Sequence, residues 1–384
     1  MRVLISSMGL VGHINPLVPL ARALAARGHE IRWAAGPDGC ARVERAGFDA
    51  VPAGITQAVR WAEMDRRYPE IGELPPQQRP DAMFPKLFGA ISAPPALADL
   101  LALVQAWRPA LVINDAAELA APIAAATIGV PHATHSFGAL LPEHRVRAGG
   151  EEIAALWRAQ GLQPRPYAGL YDHVYIDNYP PSMQPPGDDH LGARHYLRPV
   201  PFAGATVERL DAAILERTGK PLVYLTFGTV FNDYPAFPVA VAGIHDAGVG
   251  AVVTVGPDAD PAVLGEQPSR VVVERYVPQT LLLPECDVVA SHAGSGTALA
   301  ALSMGIPQLC LPQAADQFLN AAAIARAGAG ITIAPQDIDR AGVAAAIRRL
   351  LDEDEYRDAA RRIAGEIAAM PSPDDVAAEL ETLV

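Results

Sequence analysis

The stretch DVVASHAGSGTALAAL, residues 287–302, decides the architecture. A strand of the buried type (287–290) runs into Ser291 and His292. The small residues Ala293, Gly294, Ser295, Gly296 and Thr297 follow, and an alanine/leucine helix starts at once. Strand, glycine loop and helix in immediate succession are the repeating unit of a doubly wound parallel α/β sheet. The loop also has chemistry. Small residues let backbone N–H groups come close to an anion, and a helix N-terminus offers unpaired N–H groups and partial positive charge. Ser295 and Thr297 add hydroxyl donors. His292 can donate a hydrogen bond or, if protonated, a charge. Together they suit a lysine-free diphosphate cradle. The same residues also suit a tight turn in which Ser295 or Thr297 merely caps the helix. Two other phosphate signatures are excluded: Gly-Lys-Ser/Thr occurs nowhere, and neither this loop nor the N-terminal GLVGH fits GxGxxG with a later acidic residue.

Working outward, the second half of the chain repeats the alternation. KPLVYLTFGT, GAVVTVG, RVVVERYV, PQLCLP and GITIA read as further strands, with alanine-rich helices between them. The first half does the same in RVLIS, EIRWAAG, ALVIND and HATHSF, with a helix over 17–28 that stops at Gly28 and another over 119–128. Two α/β domains in tandem are therefore expected, with ligands outside the carboxyl ends of the sheets. The proline-dense stretch 177–201 reads as the end of one domain and the start of a semi-rigid connection. The expected boundaries are 1–200, a linker at 201–219, 220–365, and a C-terminal helix at 366–384 that packs back on the first domain. Residues 56–95 interrupt the alternation with proline, aromatics and methionine. They read as a long loop excursion, which either lines an apolar cleft or packs on itself.

Composition narrows the partners. The chain has 384 residues, with 30 basic and 43 acidic side chains for a net charge of −13. That balance argues against nucleic acid bound through its phosphates, though not against one compact anion in a local site. Half the residues are apolar, enough for a sizeable core or two. Cys40, Cys286 and Cys310 build neither a zinc pattern nor a disulfide framework, so a reducing cytoplasm is the expected location. No targeting segment is visible and no unbroken run of about 18 apolar residues would span a membrane.

His13, in SMGLVGHINP, follows the first strand directly, at the carboxyl edge of its sheet. A histidine there can take a proton from a hydroxyl near neutral pH. It needs a carboxylate to orient it, and Asp115, at the end of ALVIND, is the best placed in the sequence. His13 could equally pack against or cap the helix whose start Asn15 and Pro16 shape.

These residues resemble a family. GHINPLVPLARALAARGHE (12–30), RPVPF (198–202), YLTFGTV (224–230) and above all ERYVPQTLLLPECDVVASHAGSGTALAALSMGIPQLCLPQAADQFLNA (274–321) are similar to family 1 glycosyltransferases of the GT-B fold. The likeness is greatest to actinobacterial enzymes that glycosylate macrolides, enediynes and aromatic polyketides. It implies a GT-B architecture of two Rossmann-like domains with an interdomain cleft. It further implies His13 as general base and Asp115 as its orienting partner. His292, Gly294, Ser295, Gly296 and Thr297 would hold the diphosphate, with Thr229 near it. The Tyr276 ring would lie against the nucleobase and the Val277 backbone would read its edge. Asp316 and Gln317 would bind donor sugar hydroxyls. Trp61, Met64, Met83, Phe84, Phe88 and Phe137 are the expected acceptor contacts.

One departure bears on the donor. Plant members of the family carry a glutamate for the ribose hydroxyls at the position that is Ala300 here. A 2′-hydroxyl thus lacks its carboxylate, which favours a dTDP-sugar over a UDP-sugar. The expectation is an inverting transferase that moves a sugar, with a deoxysugar favoured, to a hydroxyl of a hydrophobic natural-product aglycone in antibiotic biosynthesis. No cofactor and no metal are expected; the nucleotide-sugar is a co-substrate, and the protein is a monomer or homodimer. A UDP-sugar transferase, an auxiliary protein that activates another transferase, and a sugar-nucleotide epimerase are the competing expectations. His13 and the intact AGSGT loop favour transfer.

Overall fold

The structure is a computed structural model, and it describes all residues except 186, 188–189, 203–208, 229–235 and 257–258. The chain divides into two compact units. Unit 1 comprises Met1–Tyr179, Pro185–Ala205 and Met370–Val384, and unit 2 comprises Pro180–Gln184 and Thr206–Ala369. The helix Ala212–Thr218, within the expected linker, thus belongs to unit 2, and the last helix, Pro373–Leu380, to unit 1.

Among the described residues unit 1 holds seven strands: β1 (Arg2–Ser7), β2 (Glu30–Ala35), β3 (Asp49–Pro52), β4 (Leu111–Asp115), β5 (His132–His135), β6 (Val174–Asp177) and β7 (Ala193–Tyr196). They pair in the order β3-β2-β1-β4-β5-β6-β7, every pair parallel. Parallel strands covered on both faces read as unbroken apolar runs, as RVLIS and LVIND do. Alternate residues then feed two cores. Val3, Ile5, Leu111 and Ile113 pack with Leu17, Val18 and Leu20 and with Val376, Ala377 and Leu380 of the last helix. Leu4 and Val112 face Leu97, Leu100 and Val104 on the other side.

The expected loop at 56–95 is mostly helical. A helix over Gln57–Arg67 is capped by Thr56, whose hydroxyl accepts from the Val59 N–H. A second helical run spans Arg79–Trp107 and is π-helical over Pro85–Ser92. Prolines cause the slip. Pro94 and Pro95 cannot donate to Ala90, and Arg67 Nη1 bonds that carbonyl instead at 3.2 Å. The run is apolar enough to cross a membrane by length and composition, with mean hydropathy 1.8 over its best window. Half of that window is buried in the protein, as in a core helix.

Unit 2 holds β8 (Leu222–Thr226), β9 (Gly250–Thr254), β10 (Val271–Glu274), β11 (Val288–Ser291), β12 (Gln308–Cys310) and β13 (Gly330–Thr332), in the order β10-β9-β8-β11-β12-β13, all parallel. In both sheets the order reverses once, between β1 and β4 and between β8 and β11. Connections on the two sides of such a point diverge and leave a crevice at the strands' carboxyl ends.

Candidate functional site

In unit 1 the reversal point holds the predicted pair. His13 lies in a short helix, Val11–Ile14, directly after β1, and Asp115 ends β4. His13 Nδ1 is 3.0 Å from Asp115 Oδ1. The carboxylate is 1% exposed and fixed by the backbone: Met8 N–H donates to Oδ2 at 2.7 Å and Ala117 N–H to Oδ1 at 2.7 Å. A carboxylate that accepts from Nδ1–H fixes the tautomer, so the neutral ring presents its lone pair at Nε2. The His13 ring centre is 4.6 Å from that of Phe137 and 6.2 Å from that of Phe88.

The structure does not bring the other expected acceptor residues to His13. Phe84 is buried in the core, and Met64 packs with Ile71, Leu87 and Ile91. Trp61 and Met83 lie against that second cluster. Phe84 and Met64 are buried side chains that pack against Phe88, and Trp61 and Met83 are half-buried beside them.

Two charged side chains near Asp115 escaped the sequence reading. Glu118 is 4% exposed, and its carboxyl accepts from Ser6 Oγ (2.9 Å) and from Ala120 and Ala121 N–H (3.0 Å each). Burial, with a smaller push from Asp115, raises it to about 7 despite those donors. Arg60 is the other. Neither has a periodicity or motif that could have singled it out.

In unit 2 the reversal point holds the glycine loop. His292 follows β11, with Ala293 at φ 61° and Gly294 as the N-cap of the helix Ser295–Ser303. Neither Ser295 nor Thr297 caps that helix. Glycines clamp the imidazole: a Cβ on Gly294 would stand 2.4 Å from His292 Nε2, and one on Gly228 2.8 Å from Cε1. Burial pushes the imidazole down to about 4 against the attraction of Asp316, so it is a neutral donor near pH 7, without the charge the sequence left open. Its Nδ1 is sealed from solvent without a partner. The Thr226 backbone also draws on this imidazole and opposes the effect of burial. Among the described residues a Cβ on Gly296 would meet nothing within 4 Å.

Asp316 joins this loop. Its Oδ2 accepts from Ser295 Oγ at 2.7 Å and from Asn320 Nδ2 at 3.0 Å. Asn320 is fully buried and also donates to Ala293 O at 3.0 Å. It thereby holds the left-handed turn at Ala293 and the carboxylate at Asp316 together. Gln317 Oε1 accepts from Gln313 N–H (2.8 Å) and Ala314 N–H (3.0 Å), so that oxygen shapes its own loop. Tyr276 presents a ring 47% exposed, while Val277 is buried beneath it in the cluster that contains Ala300. Thr297 accepts from Gln279 Nε2 at 3.3 Å. Thr229 lies outside the described residues. Among the described residues no three His, Cys, Asp or Glu side chains come together as a metal-holding group.

Comparison with known proteins follows the same division. Residues 88–212 match the domain described as erythromycin biosynthesis protein CIII-like, N-terminal, and residues 240–383 match its C-terminal counterpart. The chain belongs to the EryCIII-like family of glycosyltransferases. The elloramycin glycosyltransferase ElmGT of Streptomyces olivaceus is 32% identical over all of this chain and 97% of its own length. The tylactone mycaminosyltransferase of Streptomyces fradiae is 30% identical over all of this chain and 92% of its own. Among solved structures, the glycosyltransferase VinC in complex with dTDP superimposes with a TM-score of 0.82 at 28% identity, covering 100% of this chain and 99% of its own. The spinosyn rhamnosyltransferase SpnG complexed with spinosyn aglycone gives 0.80 at 29% identity, with both chains covered completely. As an EryCIII-like protein the chain has the GT-B fold and is a nucleotide-sugar-dependent glycosyltransferase.

Proposed function

We propose that this protein is an inverting glycosyltransferase that moves a deoxysugar from a dTDP-sugar to a hydroxyl of a hydrophobic natural-product aglycone. The observation that carries the reading is the Asp115–His13 pair, in which the buried carboxylate holds Nδ1 and leaves Nε2 beside Phe88 and Phe137. His13 Nε2 takes the proton of the acceptor hydroxyl. The freed oxygen attacks the anomeric carbon opposite the diphosphate, and the anomeric C–O bond to phosphate breaks with its electron pair going to the leaving group. One displacement inverts the configuration. The N–H groups at the start of the helix Ser295–Ser303 and the neutral His292 stabilise the charge that grows on the diphosphate. Asp316 serves the donor sugar and Tyr276 the base.

Thymidine is favoured by Ala300, which is 3% exposed in an apolar cluster and gives a ribose 2′-hydroxyl no partner. The dTDP bound to VinC and the aglycone bound to SpnG support the same two substrate classes. The test is calorimetric titration with dTDP and UDP side by side, with chelator present. dTDP is expected to bind about tenfold tighter, the scale of one discriminating polar contact. Tighter UDP binding would keep the transferase and overturn the deoxysugar donor. Binding of neither would leave an auxiliary protein as the better reading.

Asn320 gives a second check on the donor loop. Asn320→Ala removes the bond to Ala293 O and the donor to Asp316. It is expected to weaken dTDP binding about tenfold or more, since each buried group left unpaired costs about 1–3 kcal/mol. Unchanged dTDP affinity would show that the left-handed turn at Ala293 holds without it.

A further inference from the structure

Arg60 is 4% exposed, on the inner side of the helix Gln57–Arg67 one turn before Met64. Its Nε is sealed from solvent without a partner, and among the described residues its guanidinium makes no hydrogen bond or ion pair. Arg145, also deeply buried in unit 1, behaves differently: its Nε and Nη2 both reach Asp81 Oδ1, at 3.0 and 2.7 Å. A cation taken out of water costs several kcal/mol unless something pairs with it. Burial accordingly pushes the Arg60 guanidinium below its usual range, while Asp38 and Asp115 pull it back from a distance.

The place of that guanidinium is informative. A Cβ on Gly36, just after β2, would lie 3.8 Å from Arg60 Nη2. Gly36 touches Gly9: a Cβ on Gly9 would stand 2.9 Å from Gly36 O. Gly9 belongs to the loop that leads from β1 to His13. Arg60 therefore reaches the carboxyl edge of the sheet at Gly36, and Gly36 in turn packs on the loop that carries His13. Its helix also packs against the π-helical segment that bears Phe88.

We propose that Arg60 is a specificity-determining residue that receives a hydrogen-bond-accepting oxygen of the acceptor molecule, either ionised or carbonyl. The fork of N–H donors in a guanidinium fits such oxygens and nothing apolar. This selects acceptors that carry a carbonyl, carboxylate or ionised phenol besides the hydroxyl that is glycosylated. The inference rests on the proposed transferase reading, in which His13 of unit 1 acts on the acceptor hydroxyl.

Three probes test it: 1-naphthol, 1-hydroxy-2-acetonaphthone and 1-hydroxy-2-naphthoate, titrated into the full-length wild type and into Arg60→Met. Wild type is expected to bind one or both oxygen-bearing probes about tenfold or more tighter than 1-naphthol, the scale of a hydrogen bond to a charged group. The ketone and the carboxylate arms separate a carbonyl from an ionised partner. In Arg60→Met the preference disappears. dTDP titration of the same sample reports whether the variant is folded, and Arg60→Lys keeps part of the preference if the variant with methionine is not. Equal binding of all three probes by wild type overturns the proposal, as does a preference that survives in Arg60→Met or no binding of any probe. An equal fall in affinity for all three probes in Arg60→Met would overturn it too, and would instead assign Arg60 to the charge balance of Asp115. If wild type binds no nucleotide either, it is the transferase reading that fails.

Discussion

Replacing His13 with alanine is expected to lower turnover by about 10²–10⁴-fold, the range of a positioned general base. That is about 3–5 kcal/mol of barrier. No neighbour can take over. Asp115 has both oxygens committed to Met8 and Ala117 N–H groups as well as to His13, and Phe88 and Phe137 bring no base. Glu118 is turned away to Ser6 and the following helix start. The His13 imidazole is 12% exposed, so truncation leaves a small opening, and the buried Asp115 carboxylate keeps its Met8 and Ala117 N–H donors. The affinity for dTDP, which concerns unit 2, should stay within about twofold of wild type, below the scale of one lost hydrogen bond. Wild-type turnover in the variant would remove His13 from the mechanism. A parallel loss of dTDP affinity would mean that the ring acts on the donor.

The second large effect is acid sensitivity of unit 1. His132 and His135 are 2% and 1% exposed. Burial pushes each imidazole down to about 4, in His132 helped by His173. Between about pH 6.5 and 4 the unfolded chain protonates these rings and the folded one does not. Stability is therefore lost as pH falls through that window, about 3 kcal/mol for each histidine. Glu118 works the other way. Its folded carboxyl, raised to about 7, holds a proton that the unfolded chain releases above about 4.5. Its contribution is present at low pH and fades as pH rises to 7, again about 3 kcal/mol. The net expectation is a loss of about 3–4 kcal/mol between pH 7 and 4, read from denaturant midpoints. In Glu118→Gln the offset disappears and the loss steepens to about 6–7 kcal/mol. A flat midpoint across this range would show that the rings are solvated or paired in ways the packing does not indicate.

Much of this was legible in the sequence, for a physical reason. A parallel sheet covered on both faces demands long apolar runs, and βα turns demand small residues, so RVLIS, LVIND and the loop at 291–297 announce themselves. The pair His13–Asp115 could be guessed because both end strands that a doubly wound order makes neighbours. The short strands β3, β6 and β7 were missed; DAVP and ARHY are too brief and polar to show a period. The stretch 56–95 misled because prolines that usually break helices here sit where Arg67 and a π-helical turn absorb the missing donors. Arg60, Glu118 and Asn320 were out of reach altogether. Nothing in composition or spacing says that a polar side chain is buried, and burial is what gives these three their meaning.

The last helix carries one further consequence. Val376, Ala377 and Leu380 complete the core beneath β1 and β4, and Arg27 and His29 reach Glu381 at the end of the chain. During synthesis, at about 5–20 residues per second, the N-terminal segments leave the ribosome first but wait for residues 373–381 to close their core. The half of the molecule that is translated first is thus finished last, after unit 2 has already emerged. A stop codon before Pro373 would leave the nascent first half open for a chaperone or protease.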